Sequence, residues 1–375
     1  MQPPWTKNVD YSTKPIFVCW ETTKSCLLSC RHCRATAIRS RLPGELDHES
    51  GLRLIDQLLE FGEPYPALLL TGGDPLMRPD VFDLIRHAKK RGIYTAVAAS
   101  VTPLLTREKL ELMSELGVEI MSVSMDGASA EIHDKIRDIP GTWRATLDAI
   151  EAAKNCGMRL QVNTTVMKSN LWGLADIFHL ARERGAVAWE VFFLIRTGRG
   201  SSLENPEPWE CEEVAHFLYD ATRYGIPVRT SEGPHFRRVY LQRQKGGAAP
   251  TGELYGHLSR RLRELEGEPV NPPSLRLNAT GDGKGILFIG QDGEVYPSGF
   301  LPLSLGNVKD GNLKSIYTTH PLLVEMRNPE KLKGRCGACE YKVICGGSRS
   351  RAYAEFQDPC QEDPACPYVP AAVSV

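Results

Sequence analysis

From residue 15 to about residue 229, short apolar, β-branched runs alternate with longer segments of helical spacing. The strand-like runs fall at 16–20, 67–71, 93–99, 119–124, 159–166, 189–194 and 226–229. Between them, 49–61, 79–90, 107–116, 143–156 and 170–184 set apolar side chains three and four apart, which predicts amphipathic helices. Gly62, Gly92, Gly117, Gly157 and Gly185 follow these segments, as suits helix termination. Strands alternating with helices predict an α/β fold with a parallel sheet. Six or seven units are enough for a complete or partial barrel. In such folds chemistry gathers at the carboxyl ends of the strands.

The pattern breaks after the seventh strand. Residues 244–285 contain a Gly-Gly-Ala-Ala-Pro run, an amphipathic segment at 254–266 and Pro269, Pro272 and Pro273, read as a bridge or lid. Apolar runs then flank Asp292-Gly293, a strong hairpin signal, and the chain continues into a second group of cysteines. The expected division is 15–240, a barrel; 241–285, a bridge or lid; and 286–368, a small tail domain.

With 375 residues, 42% hydrophobic and 24% charged, the chain has ordinary globular composition. A net charge of -1 argues against nucleic acid as a partner. No run of eighteen apolar residues appears and the first residues lack the apolar core of a signal peptide, so no membrane association and a cytoplasmic address are expected. Eleven cysteines, clustered at both ends, favour metal over disulfides. Cys19, Cys156 and Cys211 stand apart from the clusters and read as packing residues.

Cys26, Cys30 and Cys33 follow the first strand with gaps of three and two residues. Three thiolates under a four-iron cubane leave one iron open to bind a second molecule. Structural zinc, completed by His32 or a distant ligand, and reduced core thiols are the alternatives. After the second strand, Gly72 and Gly73 allow close backbone approach to a ligand ahead of Asp74, although Gly-Gly-Asp-Pro is also an ordinary turn. Ser124 and Asp126 close the fourth strand two residues apart, fit to bind ribose hydroxyls or, for Asp126, to cap the next helix. Asn163 and Thr165 share a face of the fifth strand.

Together these three motifs resemble the radical S-adenosylmethionine (AdoMet) superfamily over roughly residues 15–230, with Asp74 where the family usually has Glu. The resemblance implies a partial (β/α)6 barrel of the TIM type. It implies a [4Fe-4S] cluster on Cys26, Cys30 and Cys33, AdoMet on the open iron, and a 5′-deoxyadenosyl radical that abstracts hydrogen from substrate. Gly72 and Gly73 would meet the methionine amine, with Asp74 beside them among the cofactor-binding residues, Ser124 and Asp126 the ribose or methionine end, and Asn163 the same pocket. Phe193 and Leu194 would flank adenine. An external one-electron donor such as ferredoxin or flavodoxin is implied.

The tail, Cys336-Gly-Ala-Cys339 with Cys345 and the later Cys360 and Cys366, resembles the SPASM extension that carries auxiliary clusters; a zinc ribbon is the other reading. Ser298 and Arg349 stand where a full SPASM tail has cysteines, so one auxiliary cluster is expected, on Cys336, Cys339, Cys345 and Cys366, with Cys360 competing for the last place. A closed four-thiolate cluster suits electron transfer, which favours net oxidation.

The 345–353 and 363–366 segments, with the internal 232–239 stretch, most resemble the tetrapyrrole-modifying branch, whose haem synthase decarboxylates propionates of iron-coproporphyrin III. Arg196, Arg199, Arg237 and Arg238 could clamp propionates, and His235 could ligate an iron porphyrin or transfer protons. A maturase of ribosomally made peptides is the rival reading, and a zinc or redox scaffold protein the remote one.

Overall fold

In the computed structural model, which describes residues 9–277 and 279–373, each predicted strand forms within two residues of its expected bounds. The strands are β1 (Phe17–Glu21), β2 (Ala67–Thr71), β3 (Thr95–Ala98), β4 (Ile120–Ser124), β5 (Leu160–Val166), β6 (Ala188–Phe193) and β7 (Val228–Ser231). They pair in parallel in sequence order. Helices α1 (His48–Gln57), α2 (Val81–Lys90), α3 (Arg107–Glu115), α4 (Ala130–Arg137), α5 (Thr142–Asn155), α6 (Leu174–Glu183), α7 (Pro208–Ala221) and α8 (His235–Gln244) connect or follow them. Parallel strands joined by outer helices curl into a partial barrel.

The hairpin extends this sheet. β8 (Ile286–Ile289) lies parallel to β1, with Phe17 opposite Ile286 and Cys19 opposite Phe288, and β9 (Val295–Tyr296) turns back antiparallel. The order β7-β6-β5-β4-β3-β2-β1-β8-β9 leaves β7 and β9 as edges. Between those edges the barrel is open.

The two faces of the sheet differ sharply. Along β5, Leu160, Val162, Thr164 and Val166 are buried whereas Gln161, Asn163 and Thr165 are half-buried. The buried set packs outward against the helices, each large apolar side chain contributing about 1.5–3 kcal/mol. On β6 the same outer face carries Trp189, set edge-on to Phe178 and Phe217, whose Nε1 donates to Thr164 Oγ1 at 2.9 Å. Parallel register aligns the inner face into rows: Ser124, Asn163, Glu190 and Arg229 in one, Thr165, Phe192 and Ser231 in the next. These rows line a lumen.

The segment read as a bridge or lid holds α9 (Glu253–Glu266), which buries Leu254, Leu258 and Leu262 and packs on the outer helices α6 and α7. Arg261 reaches Asp176 at 2.7 Å, and His179 and Arg182 both bind Glu266. Helices α10 (Leu313–Thr319), α11 (Pro321–Arg327), α12 (Gly334–Ala338) and α13 (Arg349–Phe356) make up the tail. Among the described residues no helix is long and apolar enough to cross a membrane.

Candidate functional site

The loop after β1 is docked onto the end of β2 through main-chain contact. Gly73 N donates to Thr23 O and Asp74 N to Ser25 O, both at 2.8 Å. A Cβ on Gly72 would lie 2.5 Å from Thr23 O, and one on Gly73 2.4 Å from Ser25 O, so only glycine fits either place. On this footing the three thiols gather at the strand ends. Ser100 Oγ donates to Gly73 O at 2.9 Å and lies 3.6 Å from Cys26 Sγ. Leu28 N points at Cys26 Sγ (3.3 Å), Ala37 N at Cys33 Sγ (3.5 Å) and Arg137 Nη1 at Cys30 Sγ (3.5 Å). Donors aimed at sulfur suit thiolates.

Asp126 serves this loop from beneath. Its carboxylate pairs with Arg137, accepts from Thr165 N at 2.7 Å, and lies 3.6 Å from His32 Nε2. Burial raises its pKa, but Arg137, His32 and His133 outweigh that and hold it below the usual carboxylate range. Fully buried and so committed, Asp126 positions the Cys30 loop through Arg137, which corrects its expected contact with ribose. Asp74 is likewise turned inward. Its two oxygens accept from Leu76 N (3.1 Å) and Thr102 Oγ1 (3.0 Å), so it shapes the turn.

Ser124 and Asn163 sit side by side on the inner row and face the lumen. Asn163 Oδ1 accepts from Gln161 Nε2 at 2.9 Å. Phe193 and Leu194 do not flank the lumen as expected: Phe193 points outward, its ring edge-on to His235 at 4.9 Å, and Leu194 packs with Ile136 and Met167. Strand alternation gives the inner position to Phe192, whose ring lies 6.4 Å from Phe300.

The arginines divide by task. Arg199 Nε donates to Cys30 O and Nη1 to Ala37 O, both at 2.9 Å, so it staples the first cysteine loop. Arg196 donates to Ser201 O within its own loop. Arg238 pairs with Glu212 and lies over the Tyr368 ring. These three are engaged elsewhere and are not arranged as the propionate clamps expected, and Arg237 donates to Thr280 O at 2.7 Å and to Ile344 O at 3.2 Å. Ser100 and Arg137 were not singled out, because nothing near them in sequence marks a contact with a cysteine 74 or 107 residues away.

In the tail, Cys336, Cys339, Cys345 and Cys366 line one cavity with His235, Arg238 and Tyr368. Cys360 is buried elsewhere, its carbonyl accepting from Lys333 N at 2.8 Å. Asp363 N (3.3 Å) and Arg349 Nη2 (3.8 Å) point at Cys336 Sγ, Tyr341 N at Cys339 Sγ (3.4 Å) and Arg238 Nη2 at Cys366 Sγ (3.8 Å). Burial pushes Cys345 up to about 12 and Cys366 to about 11, so these thiols ionise on binding metal. Among the described residues no three His, Cys, Asp or Glu side chains converge tightly enough for a single metal ion. Four thiols lining one cavity could hold an iron-sulfur cluster.

His235 belongs to this tail cavity and not to the lumen, which corrects its expected catalytic place. It is fully buried, donates from Nε2 to Cys211 O at 3.2 Å and leaves Nδ1 without a partner. Burial drives its pKa down to about 4, so the ring is neutral. Arg349 and Ser298 leave the position of another auxiliary centre without thiols: Arg349 turns to Pro359 O and Gln361 O, and Ser298 Oγ lies 3.1 Å from Ser350 Oγ.

Comparison with known proteins agrees with this geometry. The radical SAM superfamily profile matches residues 20–181. The chain is 37% identical over 358 residues to the AdoMet-dependent heme synthase of Methanosarcina barkeri, covering 95% of this chain and 97% of that protein. It is 36% identical over 360 residues to that of Oleidesulfovibrio alaskensis, covering 94% and 87%. Among solved structures, native anSMEcpe with bound AdoMet shares the fold with a TM-score of 0.68 at 17% identity, covering 93% of each chain.

Proposed function

This chain belongs to the radical SAM superfamily, and on that premise we propose that it converts propionate side chains of an iron porphyrin to vinyl groups in haem biosynthesis. The observation that carries the reading is that the likeness to the heme synthases extends through the tail centre as well as the barrel. Cys26, Cys30 and Cys33 would hold a [4Fe-4S] cluster, and Ser124 and Asn163 would contact AdoMet beside it. When bound and reduced, this pair supplies a radical able to take hydrogen from an unactivated carbon.

Each conversion removes one hydrogen atom, carbon dioxide and one electron from a propionate and leaves a vinyl group. The electron needs a sink. Cys336, Cys339, Cys345 and Cys366 would hold a second, closed cluster for that purpose, and Arg238 and Arg349 point at the sulfurs of Cys366 and Cys336. Guanidinium groups there stabilise the more negative, reduced state. The outer helices and the fully buried outer face of the sheet keep water from the far side of the barrel wall, which protects a reactive intermediate. A ferredoxin or flavodoxin is the natural class of donor.

The test is anaerobic reconstitution followed by iron-coproporphyrin III, AdoMet and dithionite, read by mass spectrometry. Stepwise loss of carbon dioxide matched by 5′-deoxyadenosine is expected. A porphyrin of unchanged mass, in protein that still cleaves AdoMet, would overturn the substrate assignment and turn attention to peptide substrates.

A further inference from the structure

The open side of the barrel, between β7 and the β8–β9 hairpin, gathers positive charge from three elements. Arg229 stands on the inner face of β7 beside Glu190. Arg237, on the first turn of α8, donates to Thr280 O at 2.7 Å and to Ile344 O at 3.2 Å, which fixes its guanidinium against the segment leading into β8. Lys284 lies four residues further along that segment, in a tight turn where its N donates to Gly281 O at 2.9 Å. Arg229 and Arg237 both act on the Glu190 carboxyl, and Arg237 acts on Lys284, so the three charges share one neighbourhood.

These cations share the lack of a carboxylate at salt-bridge distance among the described residues, although Arg237 donates to two carbonyls. Nearby arginines are ion-paired: Arg238 with Glu212, Arg243 with Asp220 and Arg351 with Asp363. Arg229, Arg237 and Lys284 form no such pair among the described residues. The neighbouring carboxyl, Glu190, accepts from Ser231 Oγ at 2.8 Å, and burial raises its pKa against the pull of Arg229 and Arg237. Burial lowers Arg237 and also Lys284, which Arg237 depresses further. Half-buried cations outside any ion pair are costly in a folded protein and are repaid when a ligand brings the anion.

We propose that Arg229, Arg237 and Lys284 form a carboxylate clamp at the open side of the barrel, which selects substrate by the number and spacing of its acidic arms. Its ligand, a macrocycle bearing several propionates, rests on the tetrapyrrole reading above. The clamp holds propionates that are not reacting and so presents another to the strand ends, where Ser124, Asn163 and the Cys26 loop lie. Arg237 supplies directed hydrogen bonds and Lys284 a point charge.

Soret titration of the reconstituted protein with iron-coproporphyrin III, and with its uncharged tetramethyl ester, tests this in wild type and in Arg229→Gln, Arg237→Gln and Lys284→Gln. Each substitution is expected to weaken the tetra-acid by roughly tenfold or more while leaving the ester within about twofold. Because Arg237 also braces two carbonyls, Lys284→Gln, which removes no side-chain hydrogen bond, is the decisive variant. Equal affinity for the tetra-acid in wild type and all three variants would overturn the clamp and leave the tetrapyrrole reading intact. A wild type that binds neither porphyrin overturns the tetrapyrrole reading, and the clamp with it.

Discussion

At the scale of single residues, the first cysteine loop is held by contacts that tolerate no extra atom. Gly73 shows this most directly, because its absent Cβ would meet the carbonyl oxygens of Ser25 at 2.4 Å and Lys24 at 2.7 Å. Neither is a flexible side chain that could swing away, so Gly73→Ala must displace the loop, at a cost of about 1–3 kcal/mol. Reconstituted Gly73→Ala is expected to lose the iron of that centre and keep the tail iron; a full complement would contradict the packing. Buried histidines give a second prediction. Burial, aided by Arg137, drives His133 down to about 4, and burial does the same to His235. The unfolded chain takes up these protons near pH 6.5, whereas the folded chain resists until about 4. His32 is depressed to about 4 in the same way, so stability falls as pH drops through that window, with proton uptake by the three histidines on unfolding approaching three. Urea midpoints across the range check it, and a flat profile would exclude it.

At the scale of elements, hydrophobic periodicity was a reliable guide because strand and helix differ in the spacing of their buried positions. It located β1 to β7 and the helix at 254–266. It said nothing of where that helix packs. α9 lies outside α6 and α7, with Leu258 fully buried, so Leu258→Ala is expected to cost about 2–5 kcal/mol in urea unfolding. Both thiol centres should keep their iron, since neither contacts α9; cluster loss at unchanged stability would show that the helix serves the site. The charge-bearing α4 escaped periodicity because it is short, yet it supplies both His133 and Arg137. Its importance is visible only when Arg137 is seen to touch Asp126 and Cys30.

At the scale of the whole molecule, the barrel sheet runs on into the head of the tail, since β8 pairs with β1, while the tail thiols lie beyond the sheet on α12 and the loops after it. The two thiol centres are built from separate residues and are expected to separate by mutation. Cys30→Ala should abolish 5′-deoxyadenosine formation and leave the tail cluster, whereas Cys345→Ala should remove the tail cluster and leave AdoMet cleavage; iron analysis with electron paramagnetic resonance distinguishes them. Loss of both clusters in either variant would mean that the centres fold as one unit. The cysteine spacings, the glycine pair and the alternation of strand and helix were all local patterns, so the chain alone determined the superfamily, the barrel and the cysteine-rich tail. Tertiary structure alone decided which way each side chain faces and what it meets: Phe192 inward and Phe193 outward, Asp126 committed to Arg137, His235 turned to the tail cavity, Cys366 lining that cavity and Cys360 buried away from it. Those outcomes depend on contacts between residues far apart in the chain, and on the burial that such contacts create, which no local spacing encodes.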